Sequence, residues 1–231
     1  MKLNKNLVRN YTISGSIIAT GKDLKSLCFN IKALILYFKN YYVISHQKNL
    51  KEYLHFGCGN DYKKGFINID VNKKADFYLD ARNKLPFKDK TIKYIYSSHF
   101  IEHLTNDELA RHFKESFRIL KSGGIYRMCV PDFLTLINAY ISKDSQWIKT
   151  VKEKIFLNFD YISTNLVSYG DYLDHFLHEE GSHKVFLDYE RIKNLLINSG
   201  FEEKNIKLVE YDKSIDSSIR EKFSIYIKAE K

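Results

Sequence analysis

Proline is nearly missing from this chain. Two prolines and ten glycines in 231 residues leave no Pro-rich or Gly/Ser-rich linker, and they argue against disordered and fibrous classes. Cysteine is scarce as well: Cys28, Cys58 and Cys129 are an odd number without metal-ligand spacing, which reads as a reduced chain in the cytoplasm. No run of roughly 20 apolar residues occurs, because Lys32 and Lys39 interrupt the stretch that comes nearest, so no spanning helix is expected. The first residues lack a compact apolar core followed by a small-residue cleavage site, so no secretory signal is expected either. No internal repeat is visible. What is present suits a soluble enzyme: 44% hydrophobic content and enough length for one α/β domain plus an appendage.

Acid is almost absent from the first fifty residues. Lys2, Lys5, Arg9, Lys22, Lys25, Lys32, Lys39 and Lys48 face the single Asp23, so +7 of the net charge of +9 lies there. Residues 1–50 therefore read as a basic helical extension ahead of a catalytic domain over 51–231. Leu24, Leu27, Cys28, Ile31, Leu34, Ile35, Phe38 and Tyr42 recur at three- and four-residue steps, which predicts a helix from about Asp23 to Tyr42 with one apolar stripe. Lys25, Lys32 and Lys39 fall on another face. Packing of the stripe on the sheet or on a partner subunit, as in a homodimer, is the plain reading. The sharper one is a peripheral contact of residues 22–42 with the inner face of the membrane, where the lysines and the Tyr37, Phe38, Tyr41, Tyr42 cluster would meet anionic lipid.

The most informative stretch is YLHFGCGNDYKKGFINIDV, residues 53–71. A short apolar strand runs into Gly57-Cys58-Gly59, and a second short strand ends on Asp70. In an open α/β sheet ligands sit beyond the carboxyl ends of the strands, where glycines admit backbone N–H groups and an acid accepts from ribose hydroxyls. A third glycine is missing, and Asp70 follows too closely for the crossover helix that would seat a pyrophosphate. That counts against NAD and ATP more than against a phosphate-free nucleoside such as S-adenosylmethionine.

Further along the chain come ADFYLDARNKLPFKDKTIKYIYSSHFIEHL, then RILKSGGIYRMCVPD, then HKVFLDYERIKNLLINSGF. In that order, from about Leu54 to Phe201, the chain resembles the class I S-adenosylmethionine-dependent methyltransferases, and within them the small bacterial branch found with surface-polysaccharide enzymes. The resemblance implies an α/β, Rossmann-like fold: a mostly parallel seven-stranded sheet with helices on both faces. Strands are expected near Tyr53–Phe56, Phe66–Asp70, Asp76–Leu79, Ile92–Ser97, Gly124–Val130, Ile206–Tyr211 and Phe223–Lys228. Helices are expected over Asn106–Leu120, which stops at Ser122-Gly123-Gly124, and over Asp188–Ser199. An insertion at about 133–185, with helical runs near Phe133–Ile141 and Gln146–Asp160 and then the loop SYGDYLDHFLHEEGSHK, is expected to form a lid. The chain departs from the family's GCGxG at GCGND, so the turn there is not fixed by the resemblance.

On this scaffold His55, Phe56, Gly57, Cys58 and Gly59 form the floor under the methionine and ribose, with Asp70 accepting from the ribose and Val71 beside it. Cys58 reads as a small turn residue. By resemblance Asp80 and Ala81 lie beside adenine, and Ser98 and His99 near the sulfonium. A hydroxyl or amine acceptor must lose a proton, and imidazole is the usual receiver. His99 is the first choice as base, with His103, His175, His178 and His183 also in suitable regions. His103 can instead hold the start of the following helix, His183 suits acceptor binding, and Asp132 is either an acceptor-side group or the cap of the helix at Phe133. The lid histidines and carboxylates match no standard ligand spacing, so a solvated acidic loop and no metal are expected.

The chain reads SSHF where DNA amino-methyltransferases carry an Asp/Asn-Pro-Pro-aromatic loop and cytosine carbon-5 enzymes a Pro-Cys. It also lacks arginine richness and any nucleic-acid module, so no nucleic-acid partner is expected. The implied acceptor is a small hydroxyl, phosphate-containing or amino compound: a sugar, a nucleotide-linked sugar or a capsule precursor. The alternative is a non-catalytic cofactor-binding partner or regulatory subunit, against which the intact Gly57, Gly59 and Asp70 argue.

Overall fold

The computed structural model describes residues 24–47, 50–72, 74–154 and 168–231. Seven strands form one sheet: β1 (Tyr53–Phe56), β2 (Ile67–Asp70), β3 (Phe77–Tyr78), β4 (Ile92–Ser98), β5 (Leu120–Pro131), β6 (Ile206–Val209) and β7 (Ser224–Glu230). Their order is β3-β2-β1-β4-β5-β7-β6. All neighbours are parallel except β7, which runs antiparallel to both β5 and β6. This is the Rossmann-like, mostly parallel sheet that the resemblance implied. From β1 the chain builds outward to β3 and then returns to add β4 on the other side, so the order reverses between β1 and β4. The carboxyl ends of those two strands border the crevice where such sheets bind ligands.

Strands covered on both faces read as continuous apolar runs. Leu54 and Phe56 in β1 and Ile95 and Tyr96 in β4 have no measurable exposure, and β5 is buried from Tyr126 to Pro131. Helix α2 (Asn106–Ile119) starts on a capping box in which Thr105 accepts from the Glu108 N–H and Glu108 accepts from the Thr105 N–H. It buries Leu109, His112, Phe113, Ser116 and Ile119, one face at helical spacing. It ends at Ile119, and β5 begins at once on Leu120 opposite Ile92. The expected stop at the glycines is thus corrected: Gly123, with φ 71°, lies inside the strand, beside the register shift between Ile92 and Tyr94.

Helix α1 (Leu24–His46) packs on the sheet by a face other than the expected stripe, whose residues up to Ile31 lie outside those with described side chains. Tyr37, Tyr41 and the buried Ile44 pack on the core, and Asn40 donates to the Tyr78 carbonyl of β3 at 3.3 Å. Leu34, Ile35, Phe38 and Tyr42 of the expected stripe are exposed, Ile35 by 61% and Tyr42 by 64%. Tyr37, Tyr41 and Ile44 also stand at helical spacing, so periodicity offered two faces and tertiary packing chose the more aromatic one. Among the described residues no helix is long and apolar enough to cross a membrane.

The insertion holds α3 (Phe133–Ser142), α4 (Ser145–Lys154), α5 (Tyr169–His178) and a 3-10 turn, Glu179–Gly181, before α6 (Tyr189–Asn198). The segment expected as a loop is instead helical, started by a Ser168–Asp171 capping box. The end of the expected run to Asp160 lies outside the described residues. Val151 of α4 and Tyr172 of α5 form a small second core with Phe223. Because β7 is antiparallel, Ser224 lies opposite Pro131 at the carboxyl end of β5. This core therefore sets α4 and α5 against the edge of the sheet that carries the crevice.

Candidate active site

After β1 the chain curls back onto β2. Gly57 and Gly59 have φ of 64° and 51°, the left-handed region where glycine carries no Cβ penalty. The Gly57 and Cys58 N–H groups donate to the Ile69 carbonyl at 2.9 and 3.3 Å. The Gly59 N–H donates to Asp70 Oδ2 at 2.8 Å, and the Asp61 N–H closes a turn on the Cys58 carbonyl at 2.7 Å. The GCGND sequence thus makes an ordered turn whose shape Asp70 holds. A Cβ on Gly57 would lie 2.6 to 2.8 Å from Phe100 carbons, so Phe100, just beyond β4, covers the loop and joins the two strand ends.

The side chains of His55 and Phe56 belong to the core. His55 Nδ1 lies 3.1 Å from Asn68 Oδ1, and burial pushes its pKa down to about 4. Phe56 stacks on Phe100. Both leave only backbone groups for a ligand. Burial, with the Asp70, Asp76 and Asp61 carboxylates, pushes the Cys58 thiol up to about 12, so it is no thiolate nucleophile at neutral pH. Val71 is 40% exposed beside Asp70. Asp80 is gripped by Arg82 through Nε at 2.8 Å and Nη2 at 2.6 Å.

Sequence reasoning missed His112. Its Nδ1 donates to the Ala81 carbonyl at 3.2 Å, which leaves Nε2 as the acceptor for the Tyr126 hydroxyl at 2.9 Å. Tyr126 in turn meets Ser97 Oγ at 3.1 Å. This buried polar chain ties the turn after β3 to β4 and β5, and burial pushes the His112 pKa down to about 4. Nothing in the spacing around residue 112 points to it.

On the other side of the crevice His99 directly follows β4, with Ser98 the strand's last residue, opposite Cys129. Its φ is 48°, unusual for a residue with a Cβ. The His99 N–H donates to the Cys129 carbonyl at 2.9 Å, Nε2 lies 2.8 Å from Ser224 Oγ, and Nδ1 lies 3.5 Å from Glu102 Oε1. Burial, reinforced by Arg220, His183 and His103, holds its pKa well below the ordinary imidazole value.

Glu102 and His103 sit in the 3-10 turn Ile101–His103, Glu102 fully buried. The Glu102 carbonyl accepts from the N–H groups of Lys184 and Val185 at 2.8 and 3.3 Å, which brings His183 alongside. The His103 and His183 rings are 5.1 Å apart. His103 bonds the Ser182 carbonyl, while Thr105 and Glu108 cap α2. The His183 side chain is only 7% exposed, whereas His178 and Asp174 of the expected solvated group are exposed by 66% and 80%. The exposed His178, 4.0 Å from Asp174, and His175, edge-on to Phe176, belong to α5. Asp132 caps α3, its two oxygens accepting from the Thr135 N–H at 3.1 Å and hydroxyl at 2.6 Å.

Residues 45–128 match a family described as a methyltransferase domain, a span that includes β1 to β4, both strand ends of the crevice and most of β5. No curated protein matches. Among solved structures, a SAM-dependent methyltransferase from Archaeoglobus fulgidus is 18% identical, with 89% of this chain and 99% of that one covered at a TM-score of 0.46. One from Methanosarcina mazei is 19% identical over 79% and 94%, at 0.44. Phosphoethanolamine N-methyltransferase 2 of Haemonchus contortus, solved with S-adenosyl-L-methionine, is 12% identical over 94% and 60%, at 0.44. At such identities and TM-scores these likenesses add nothing to the domain match and the strand order. The short glycine loop with positive φ at both glycines, and the acid at the end of β2, fit a nucleoside that brings no phosphate. Over residues 45–128 the chain is similar to a methyltransferase domain, and the glycine loop with Asp70 suits S-adenosylmethionine as the cofactor.

Proposed function

We propose that this chain methylates a hydroxyl of a small acceptor, a sugar or nucleotide-linked sugar of the kind used as a surface-polysaccharide precursor. The observation that carries the reading is His99, an imidazole fixed at the carboxyl end of β4 between Ser224 and the buried Glu102 and next in the chain to Phe100, which covers the glycine loop. S-adenosylmethionine supplies a methyl group already activated on a sulfonium, so the protein's share is alignment and removal of a proton. The backbone of Gly57 to Gly59 and the Asp70 carboxylate hold the ribose and methionine, Val71, Asp80 and Ala81 border the adenine, and Ser98 and His99 flank the methyl group. Orientation of this kind contributes several kcal/mol. His99 accepts the hydroxyl proton, and the Glu102 carboxylate stabilises the imidazolium that results. His183 lies on the acceptor side. The lysine-rich first fifty residues, with Ile35, Phe38 and Tyr42 exposed on α1, suit an enzyme held near anionic lipid or substrate.

The test is calorimetric titration with S-adenosylmethionine and S-adenosylhomocysteine, followed by labelled methyl transfer to a panel of nucleotide-linked sugars and of amines. His99→Gln should keep cofactor affinity and slow turnover by about 10²-fold or more. Label entering amines alone overturns the hydroxyl reading, and a wild-type rate in His99→Gln removes His99 as base.

A further inference from the structure

We propose that Glu102, His103, His183 and Glu179 form a site for one divalent first-row transition metal ion on the acceptor side of the crevice. One ligand atom from each of Glu102, His103 and His183 can be drawn so that all lie within 4.8 Å of one another. Ligands at about 2.0–2.2 Å from a common ion in a four-coordinate site are separated by roughly 3.3–3.6 Å, so the three need close by at most about 1.5 Å around it.

The orientation of the two imidazoles is the independent observation. His103 Nδ1 lies 3.0 Å from the Ser182 carbonyl and His183 Nδ1 lies 2.7 Å from the Phe176 carbonyl. A carbonyl oxygen only accepts, so each Nδ1 carries the hydrogen and each Nε2 is left with a lone pair in the neutral ring. Backbone carbonyls that fix the tautomer and aim the other nitrogen inward are the usual outer support of metal-bound histidine. Both Nε2 atoms point toward one oxygen, Glu179 Oε2, at 3.9 Å from His103 and 3.4 Å from His183. Two imidazoles and two carboxylates gathered in a largely buried space offer a nitrogen and oxygen donor set of the kind such ions take. Ser182, whose hydroxyl donates to Glu179 Oε2, steadies the fourth ligand.

Two imidazoles with two carboxylates suit manganese, iron, cobalt or zinc better than magnesium or calcium, which take oxygen ligands. The ligands come from the 3-10 turn Ile101–His103, the 3-10 turn Glu179–Gly181 and His183 just after it, and backbone hydrogen bonds from Lys184 and Val185 to Glu102 clamp the two segments together, which gives the site a rigid frame. Its role in turnover rests on the hydroxyl-methylation reading above. Glu102 Oε1 lies 3.5 Å from His99 Nδ1, so an ion here stands beside the proposed base. The acceptor oxygen takes an open coordination position, which lowers its pKa. Its proton passes to His99 as the oxygen–methyl bond forms and the sulfur–methyl bond breaks.

The experiment is titration of the full, chelator-treated chain with Co²⁺, followed by visible absorption and calorimetry, with S-adenosylmethionine affinity measured on the same samples. One equivalent of Co²⁺ should bind with the absorption of a four- or five-coordinate nitrogen/oxygen site, and Zn²⁺ should displace it. Glu102→Gln and His183→Ala should each weaken Co²⁺ binding by about 10²-fold while cofactor affinity stays as in the wild type, which shows that the variants are folded. Folded protein that binds S-adenosylmethionine and no Co²⁺ overturns the metal site and leaves the methyltransferase reading in place. Co²⁺ binding without cofactor binding supports the site and defeats that reading. Wild-type Co²⁺ affinity in both variants overturns the ligand assignment. Turnover equal with and without bound ion overturns its role in the reaction.

Discussion

Replacing Gly57 by alanine adds one methyl group at the point where the two strand ends meet. Two costs follow. At φ 64° the added Cβ places an L-residue in the left-handed region, at roughly 1–2 kcal/mol. The same Cβ would stand 2.6, 2.7 and 2.8 Å from three carbons of Phe100, against an ordinary carbon–carbon separation of about 3.5–4.0 Å. Phe100 has little room to yield, since its ring stacks on Phe56 at 6.1 Å and meets His112 edge-on at 5.3 Å. Overpacking of this kind costs about 1–3 kcal/mol. The sum, about 2–5 kcal/mol, should appear in urea unfolding, and the displaced loop should bind S-adenosylmethionine at least about tenfold more weakly, a change of 1.4 kcal/mol. The two costs are separable, because Phe100→Ala removes the obstacle and leaves the backbone strain. Gly57→Ala/Phe100→Ala should therefore be less destabilised than the sum of the single variants by about 1–3 kcal/mol. Additivity within about 0.5 kcal/mol would refute the claim that Phe100 covers the loop, and unchanged cofactor affinity would refute the loop as its floor.

Asp70→Ala removes both the proposed ribose acceptor and the acceptor of the Gly59 N–H, and calorimetry should show a loss of about 1.5–3 kcal/mol in S-adenosylmethionine binding; equal affinity would end that assignment. Asp216→Ala leaves the Arg127 guanidinium, which bonds the fully buried Asp216 and the Glu210 carbonyl, without its counter-charge. Urea unfolding should show about 3–5 kcal/mol of destabilisation, with much of it recovered in Arg127→Met/Asp216→Leu. His55 and His112 are held neutral, with pKa values near 4 against an ordinary 6.5. On acidification the unfolded chain takes up these protons first, so their contribution is complete above about pH 6.5 and is lost as pH falls toward 4, by about 3 kcal/mol each. His112→Gln should flatten the stability–pH slope in that window, and an unchanged slope would contradict the assignment.

Much of the glycine turn after β1 was legible in the sequence because its geometry is local. The two glycines and Asp70 lie within one short strand–turn–strand unit, and the buried strands announce themselves as apolar runs. The histidine and glutamate cluster beyond β4 was harder. Glu102 and His103 stand in HFIEH, Glu179 and His183 in EEGSH, and only the backbone bonds between Glu102 and Lys184 bring the two strings together. A spacing rule for metal ligands applied along the chain does not join them. The misread loop at 168–184 is a short helix of mixed aromatic, histidine and aspartate residues, whose start depends on Ser168 and Asp171 capping each other. The inner face of α1 escaped for another reason: the sequence offers two apolar faces, and the contact with β3 decides between them. His112 gave no sign because its partners, Ala81 and Tyr126, are distant in the chain and apolar surroundings do not advertise a polar chain within them.

The place of β7 sets an order of assembly during synthesis. It is the last of the seven strands in sequence, yet it lies between β5 and β6, and β6 pairs with no other strand. The parallel half, from β3 to β5, has all its residues by Pro131, so the glycine loop and Asp70 can take shape while later residues are still being added. The open flank of β5 must wait for residues 224–230, as must the Phe223 core that seats α4 and α5 and the Ser224 hydroxyl beside His99. A nascent chain halted before that point presents an unpaired strand edge to its neighbours, with its glycine loop built ahead of Phe223 and Ser224.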